Sequence, residues 1–357
     1  MNFWASGVRL FRSGGLKLRL WMLALLPLAA LPVLAVILVL VGNYSAERLL
    51  QNKVESDLAV THDHLQHIGN EALDSVTSLA NSGRILSLAT GVGQGVSLNE
   101  VLASRKQNVG FDFLAIIDLS GKVVGASEGF RQGDSYVDTP LIRAVMSGAP
   151  AVSGLEVVSA DTLSHLSAGL AAQARLELVE TPMAAPSSAT TESRGLLLLS
   201  AAPMPDASGN SRFIVVGGFL LNRHYEFVDY LARIGSAGQL RKMGVSETVT
   251  LFLDDVRIAT TVRQQNGERA VGTRVSQAVR EHVLDRGDAW VSRAFVVNHW
   301  AVTAYDPILD YSGKRIGMLY VGIPEAPFDA LRWKAISAII LLLVVISLLA
   351  AWLRKCP

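Results

Sequence analysis

Long uninterrupted runs of apolar residues lie near both ends of the chain. The segments 20–42 and 335–353 contain no charged residue. As helices they would be about 34 and about 28 Å long, close to the roughly 30 Å core of a bilayer. The pattern predicts two transmembrane helices. The first is too long for a signal peptide and lacks a small-residue cleavage site, which favours an uncleaved anchor.

Positive charges flank both apolar segments on the side of the chain ends. Because cytoplasmic loops are rich in Lys and Arg, we expect the N-terminus (1–19) and the stub 354–357 in the cytoplasm and 43–333 outside. Without the four positive charges before residue 43 and the three from Lys334 onward, the net charge of +1 becomes −6 for the outer region. This balance is not that of a nucleic-acid-binding surface. Cys356, the one cysteine, leaves the outer region without a disulfide.

From residue 43 to about 90, apolar residues recur mostly every three or four positions, which predicts a long amphipathic helix, here called the stalk helix. Such a helix either pairs with a second copy or packs on its own domain. Gly69 and Gly83 weaken a continuous coiled coil. The apolar positions are Leu50, Val54, Leu58, Leu65, Ile68, Ala72, Val76 and Leu79.

The outer region contains one phrase twice. PMPDASGNSRFIVVGG (203–218) and PILDYSGKRIGMLYVG (307–322) share Pro, Asp, Ser-Gly and a final Gly at identical offsets, and a third D-x-S-G begins at Asp118. Each copy reads as a module of hairpin, helix, strand, second strand, D-x-S-G turn and closing strand. Antiparallel hairpins with intervening helices predict an α+β fold.

We divide the region accordingly into a distal unit (91–222), a linker helix (223–244) and a proximal unit (245–330). The Pro-, Ser- and Thr-rich segment 181–195 is expected to be an exposed loop.

Several stretches together resemble the Cache family of extracytoplasmic sensory domains. ETVTLFLDDVRIATTVRQQNGERAVGTRVSQAV and AYDPILDYSGKRIGMLYVGIPEAPF carry the likeness in the proximal unit, and LSAGLAAQARLELVETPMAAP and RGLLLLSAAPMPDASG carry it in the distal unit. The chain is most similar to the double-Cache arrangement of bacterial sensor histidine kinases and chemoreceptors, of the Cache 3/Cache 2 fusion kind, over residues 45–330.

This resemblance implies two tandem PAS-like domains on a long N-terminal helix, a homodimer formed through that helix, and a small-molecule ligand. It also implies a two-pass protein of the bacterial inner membrane with a periplasmic or extracellular sensory region. The signal would pass through the second transmembrane helix to a cytoplasmic output module. No kinase or methylation segment follows residue 353, so the chain itself is expected not to be an enzyme.

Motifs for catalysis or metal binding are weak. GVGQGV (91–96) lacks the Lys-Ser/Thr of a phosphate loop and reads as a turn that ends a helix. In THDHLQH, His64 and His67 share a helix face but His62 does not, so we expect a solvated face and no metal. There is no G-x-S-x-G or H-E-x-x-H sequence, and no cofactor is expected.

Candidate ligand-binding residues come from the alternation of FVVNHWAVTAY (295–305), read as one strand. One face of it mixes aromatic and polar groups, as a small-molecule site does, and an arginine in GTRVS offers a forked donor to a carboxylate. For the proximal unit the candidates are Arg274, His299, Thr303 and Tyr305; for the distal unit they are Phe113, Ser127 and Arg143.

The predicted function is therefore ligand sensing for a transmembrane receptor, first of the histidine-kinase type and next of the chemoreceptor type, with a small organic anion as the favoured ligand. Two other classes stay open. One is a membrane-anchored enzyme, and the other is a scaffold that binds a partner protein and has no small ligand.

Overall fold

The computed structural model describes residues 16–93, 96–130, 132–135, 139–206, 208–235 and 245–355. They divide into two compact units, one formed by the helical segments up to Leu50 and from Glu325 onward, and one formed by Gln51–Pro324. Both five-stranded sheets of the protein lie within Gln51–Pro324. Parts of four predicted features lie outside the described residues. They are Arg9 and Arg12 of the basic N-terminus, Gln94 and Gly95 of the GVGQGV turn, residues 236–244 of the linker helix, and Cys356 of the C-terminal stub.

The first element of the described residues is helix α1 (Leu16–Ala80), which contains the first apolar segment and most of the predicted stalk helix. Within Gln51–Pro324 one stripe of this helix is buried, and its Ala72 and Val76 pack against Ile116 and Val215. The stripe thus covers a sheet of its own chain. The stalk is interrupted after Ala80, and two shorter helices follow, α2 (Gly83–Ala89) and α3 (Leu98–Val109).

The distal unit is built around an antiparallel sheet in the strand order β2-β1-β7-β6-β3. One face of the sheet packs against α1, α2 and α3, and the other encloses a core with the helices that follow β2 and β3. The elements in chain order are β1 (Phe113–Asp118), β2 (Val123–Ala126), α4 (Pro140–Met146), β3 (Val152–Val158), α5 (Ala160–Leu166), α6 (Ala168–Ala174), β4 (Leu176–Glu177), β5 (Thr191–Glu192), β6 (Gly195–Pro205) and β7 (Ser211–Leu220).

Helix α7 (Tyr225–Gly235) follows, within the predicted linker, and leads to the proximal unit. Its antiparallel sheet has the strand order β9-β8-β12-β11-β10. The elements are β8 (Thr248–Leu253), β9 (Val256–Thr260), α8 (Gln277–Arg280) with a π-helical continuation (Glu281–Arg286), β10 (Trp290–Val296), β11 (His299–Leu309) and β12 (Arg315–Pro324).

The two sheets have the same topology, so the repeated phrase in the sequence reflects a repeated fold. In each, the first strand pairs with the second and the last, and the fourth strand lies between the third and the last. The registers match as well, since β1 and β2 carry a bulge at the place where β8 and β9 carry one. The mixed α+β class predicted from the sequence is confirmed.

The D-x-S-G sequences form one kind of turn at all three positions. In the last, Asp310 Oδ1 accepts hydrogen bonds from Ser312 N at 2.9 Å, Ser312 Oγ at 2.6 Å and Lys314 N at 2.9 Å. The glycine that follows, Gly313, has a φ of 83°, which a residue with a β-carbon rarely adopts. Asp118 and Asp206 make the corresponding bonds.

One predicted element is wrong. The segment 295–305 is not a single strand but the tip of the β10–β11 hairpin, which turns at Val297 and Asn298 and pairs Val296 with His299. Val297 has a φ of 58°. A β-branched residue seldom takes this conformation, so the sequence carries no turn signal there.

The last helix, α9 (Ala326–Lys355), contains the second apolar segment. Among the described residues, α1 and α9 are the two helices that are long and apolar enough to cross a membrane, a judgement on length and composition alone.

Candidate functional site

A continuous row of polar and aromatic side chains crosses one face of the proximal sheet. Directly opposed residues on neighbouring strands point to the same face. Pairing in register joins, in order, Trp290, Tyr305, Tyr320, Thr250 and Thr260. This row, together with Phe252, Arg257, Thr303 and His299 on the same face, is here called the proximal inner face.

Helical residues cover this face. Val279 of α8 and Val283 of the π-helical segment belong to the same core as Phe252, Tyr305 and Tyr320. Both tyrosines are at most 1% exposed. The proximal inner face is therefore a mostly buried surface that carries hydroxyl, imidazole and guanidinium groups.

Arg257 is the most unusual group on this face. It stands opposite Phe252 in the β8–β9 pair and is 1% exposed. Its Nη1 donates to Thr273 Oγ1, its Cζ lies 4.8 Å from the centre of the Phe252 ring, and its Nε has no hydrogen-bond partner. No carboxylate of the described residues pairs with it.

A buried guanidinium without a carboxylate is costly, because its charge loses hydration and an unmatched donor alone costs about 1–3 kcal/mol. Burial lowers the pKa of Arg257, and the neighbouring Tyr305 and Tyr320 oppose this shift. Even so lowered, an arginine stays protonated at neutral pH. The site thus holds a positive charge with an open donor.

The neighbours of Arg257 are mostly donors too. Burial raises the pKa of Tyr305 and of Tyr320, so both phenols keep their protons. Trp290 Nε1 is a second buried donor without a partner. Burial, followed by the charge of Arg257, lowers the pKa of the half-buried His299, which favours the neutral ring. An acceptor-rich anion is the chemical complement of this lining.

The distal sheet provides an internal comparison, because its registers are equivalent. The row that corresponds to Trp290, Tyr305, Tyr320, Thr250 and Thr260 consists there of Val152, Ala201, Val216, Ala115 and Ala126. Val123 occupies the place of Arg257 and pairs with Ile117. The same fold therefore encloses an apolar interior in the distal unit and a polar, cationic one in the proximal unit.

Three of the four residues predicted for the proximal unit lie together on this face. His299, Thr303 and Tyr305 alternate along β11, and Thr303 Oγ1 donates to the Ser292 carbonyl at 2.8 Å. Arg274 does not lie with them: its Nη2 and Nε donate to Asp255 at 2.6 and 3.2 Å, and its Nη1 donates to the Ala185 carbonyl at 2.6 Å. The guanidinium of Arg274 is thus already engaged by protein groups.

The three distal candidates occupy separate environments. Phe113 is buried in the apolar core, and Ser127 Oγ accepts a hydrogen bond from Leu114 N at 3.1 Å. Arg143 is exposed and lines an open cleft of about 480 Å³ with Tyr311. These residues do not form one site.

The histidines of THDHLQH point to different partners. His62 Nδ1 lies 3.6 Å from Asp306 Oδ2, His64 contacts the Tyr230 ring, and His67 lies 3.5 Å from Glu71. Within the described ranges no group of three or more His, Cys, Asp and Glu side chains is arranged to hold a metal ion.

Sequence reasoning missed Arg257, Tyr320 and Thr250. Arg257 lies in VRIAT, a strand of which every residue is buried. The sequence signal for a buried charge was an arginine flanked by apolar residues in a short strand. An alignment of the two repeats would also have paired Arg257 with Val123, an apolar residue at the equivalent position.

A known family of domains matches part of the chain. Residues 219–335 match the family model of single Cache domain 3. The resemblance to Cache sensory domains is therefore confirmed over this stretch, which contains the whole proximal sheet. No curated protein matches the chain.

Solved structures of sensor domains also match the chain, at low sequence identity. The Vibrio cholerae histidine kinase DctB sensor domain is 10% identical, with a TM-score of 0.44, over 78% of this chain and 98% of its own. The V. cholerae LuxQ periplasmic domain is 11% identical, with a TM-score of 0.38, over 78% and 98%. The ligand-binding domain of the Pseudomonas fluorescens chemoreceptor CtaA, in complex with L-isoleucine, is 12% identical, with a TM-score of 0.40, over 81% and 98%.

Proposed function

We propose that this chain is the extracytoplasmic sensing module of a bacterial transmembrane receptor, and that its proximal unit binds a small organic anion at Arg257. The observation that carries the proposal is the buried, uncompensated guanidinium of Arg257 in an interior lined by donors. The Cache family match over this unit supports the sensory role.

The binding chemistry follows from the lining. A carboxylate offers two acceptor oxygens to the planar guanidinium, and hydrogen bonds with ionised partners are stronger than neutral ones. The Trp290 indole N–H is a further donor that lacks a protein partner. A ligand carboxylate would therefore satisfy groups that the protein leaves unsatisfied, and this difference is what gives affinity for an anion over a neutral analogue.

The same proposal includes a membrane-anchored homodimer formed through the stalk helix, with the signal passing along α9 to a cytoplasmic output module. The two apolar helices support the anchoring by length and composition. We favour a two-component histidine kinase as the output. Ligand binding would shift the receptor between two arrangements by no more than its difference in affinity for them.

The direct test is a thermal-shift screen of the full chain in detergent micelles against acetate, lactate, succinate, citrate and amino acids. A ligand at 100 times its dissociation constant stabilises the folded state by about 2.7 kcal/mol. A carboxylate should raise the melting temperature of the wild type and of Arg293→Met, whose exposed arginine lies outside the proximal inner face. It should raise that of Arg257→Met by much less.

The proposal fails if no carboxylate binds, or if carboxylates stabilise Arg257→Met as much as the wild type. The first result would favour a scaffold for a partner protein. The second would move the ligand to another part of the chain.

A further inference from the structure

A partly buried cluster of three charged side chains joins the stalk helix to the proximal unit. Lys53 and Asp57 lie one turn apart on α1, and Glu247 immediately precedes β8. Lys53 Nζ donates to Asp57, to Glu247 Oε1 at 2.8 Å and to the Gly235 carbonyl at 3.2 Å. Asp57 is 7% exposed and Glu247 is 3% exposed. These four residues are here called the stalk latch.

One atom of this cluster is left without a partner. Glu247 Oε2 is buried and accepts no hydrogen bond. The space around it is closed by Gly235, since a β-carbon there would lie 2.6 Å from Glu247 Oε2 and 3.8 Å from Asp57 Cβ. The glycine at the end of α7 thus leaves the space that the Glu247 carboxylate occupies.

Charge balance explains the unpartnered oxygen. Two ionised carboxylates and one ammonium leave a net negative charge in a desolvated position, which is unfavourable. A proton on Glu247 Oε2 makes the cluster neutral and converts that oxygen into a donor that Asp57 can accept. Burial, followed by the proximity of Asp57, raises the pKa of Glu247 to about 7, which is consistent with this protonated form.

We propose that the stalk latch is a proton-gated contact, in which a proton shared between Glu247 and Asp57 holds the stalk helix on the proximal unit. Among the described residues, the ionisable groups that act on Glu247 are Lys53 and Asp57, both from the stalk helix, and the Gly235 carbonyl of α7 accepts a hydrogen bond from Lys53. The coupling between the proximal unit and the helix that leads to the first apolar segment then depends on external pH.

The direction follows from linkage. The folded protein binds the Glu247 proton more tightly than the unfolded chain, whose glutamate has the ordinary pKa of 4.5. The stabilisation is complete at acid pH and is lost as the pH rises through neutrality. Above that range the two carboxylates share one ammonium, and the contact loosens.

The test uses the full chain in nanodiscs with Cys356→Ser and spin labels at Asn52→Cys and Ser246→Cys, two exposed positions beside the latch. Electron–electron distance measurements should give one short, narrow distance at pH 5.5 and a longer, broader distribution at pH 8.5. Glu247→Gln, which places a permanent amide donor at the carboxyl position, should keep the short distance at both pH values.

Glu55→Gln is the matched control, because Glu55 is exposed on the same helix between the two latch residues. It should respond to pH as the wild type does. Asp57→Asn, which removes the carboxylate that raises the pKa of Glu247, should move the transition to lower pH or abolish it. A wild-type distance that does not change with pH, or a Glu247→Gln distance that still changes, would overturn the proposal.

Discussion

If Arg257 binds a carboxylate as proposed, replacing it with methionine should have two opposite effects, because the buried charge destabilises the protein without ligand and strengthens ligand binding. Methionine keeps an unbranched apolar stem of similar reach but removes the charge and the unpartnered Nε. Desolvation of a buried ion costs several kcal/mol. The bond to Thr273 and the contact with the Phe252 ring return about 2–4 kcal/mol of that.

The desolvation cost of Arg257 exceeds what its contacts with Thr273 and Phe252 offset. In the absence of ligand, Arg257→Met should therefore be more stable than the wild type by about 1–2 kcal/mol. For a domain of this size that corresponds to a rise in melting temperature of about 2–6 °C. Hydrogen bonds to a charged group are worth about 1.5–3 kcal/mol, so affinity for a carboxylate should fall about tenfold to a hundredfold.

Thermal unfolding and isothermal titration calorimetry of the full chain in detergent measure the two effects separately. Arg257→Lys keeps the charge without the fork and should fall between the wild type and Arg257→Met in affinity. The reasoning is refuted if Arg257→Met is less stable than the wild type in the absence of ligand and binds carboxylates equally well.

Three further predictions concern other parts of the fold. Burial raises the pKa of Glu156 to about 7 from 4.5. The contribution of Glu156 to the free energy of unfolding is therefore complete at acid pH and falls by about 1.4 kcal/mol per pH unit as the pH rises toward 7. Glu156→Gln, which still accepts from Leu141 N, should remove that slope when the free energy of unfolding is measured across a pH series. Asp310→Ala removes three hydrogen bonds from the last D-x-S-G turn and should lower the free energy of unfolding in urea by about 1–2 kcal/mol, and Asp206→Ala should lower the urea midpoint as well; unchanged midpoints would contradict the role of the turn. Tyr305→Phe should weaken carboxylate binding about tenfold in calorimetry while changing stability by less than about 1 kcal/mol; wild-type affinity would remove Tyr305 from the site.

Much of the fold was predictable because its signals are local. The D-x-S-G turns depend on one aspartate and one glycine, and helix α4 depends on a Thr139 N-cap that accepts from Ile142 N and on Pro140 in the first turn. The buried stripe of the stalk helix follows from period alone. These features require no knowledge of distant neighbours.

The site was only partly predictable, since it depends on register between strands distant in sequence. His299, Thr303 and Tyr305 were found because alternation along one strand assigns them to one face. Arg274 was chosen for its place before a helix, but its partner Asp255 is recognisable only once β9 is placed. Arg257 was overlooked because a charged residue in a strand ordinarily faces solvent.

Because the fold is duplicated, the two copies can differ in the chemistry of their interiors while they share one topology. The distal copy needs only apolar volume at Val152, Ala201 and Val216, so exchanges among aliphatic residues of similar size should be tolerated there. The proximal copy holds specific donors at the equivalent positions, where conservative exchanges change chemistry rather than packing. A chain of this design can acquire a new stimulus by changing the interior of either copy while the backbone plan of both is preserved.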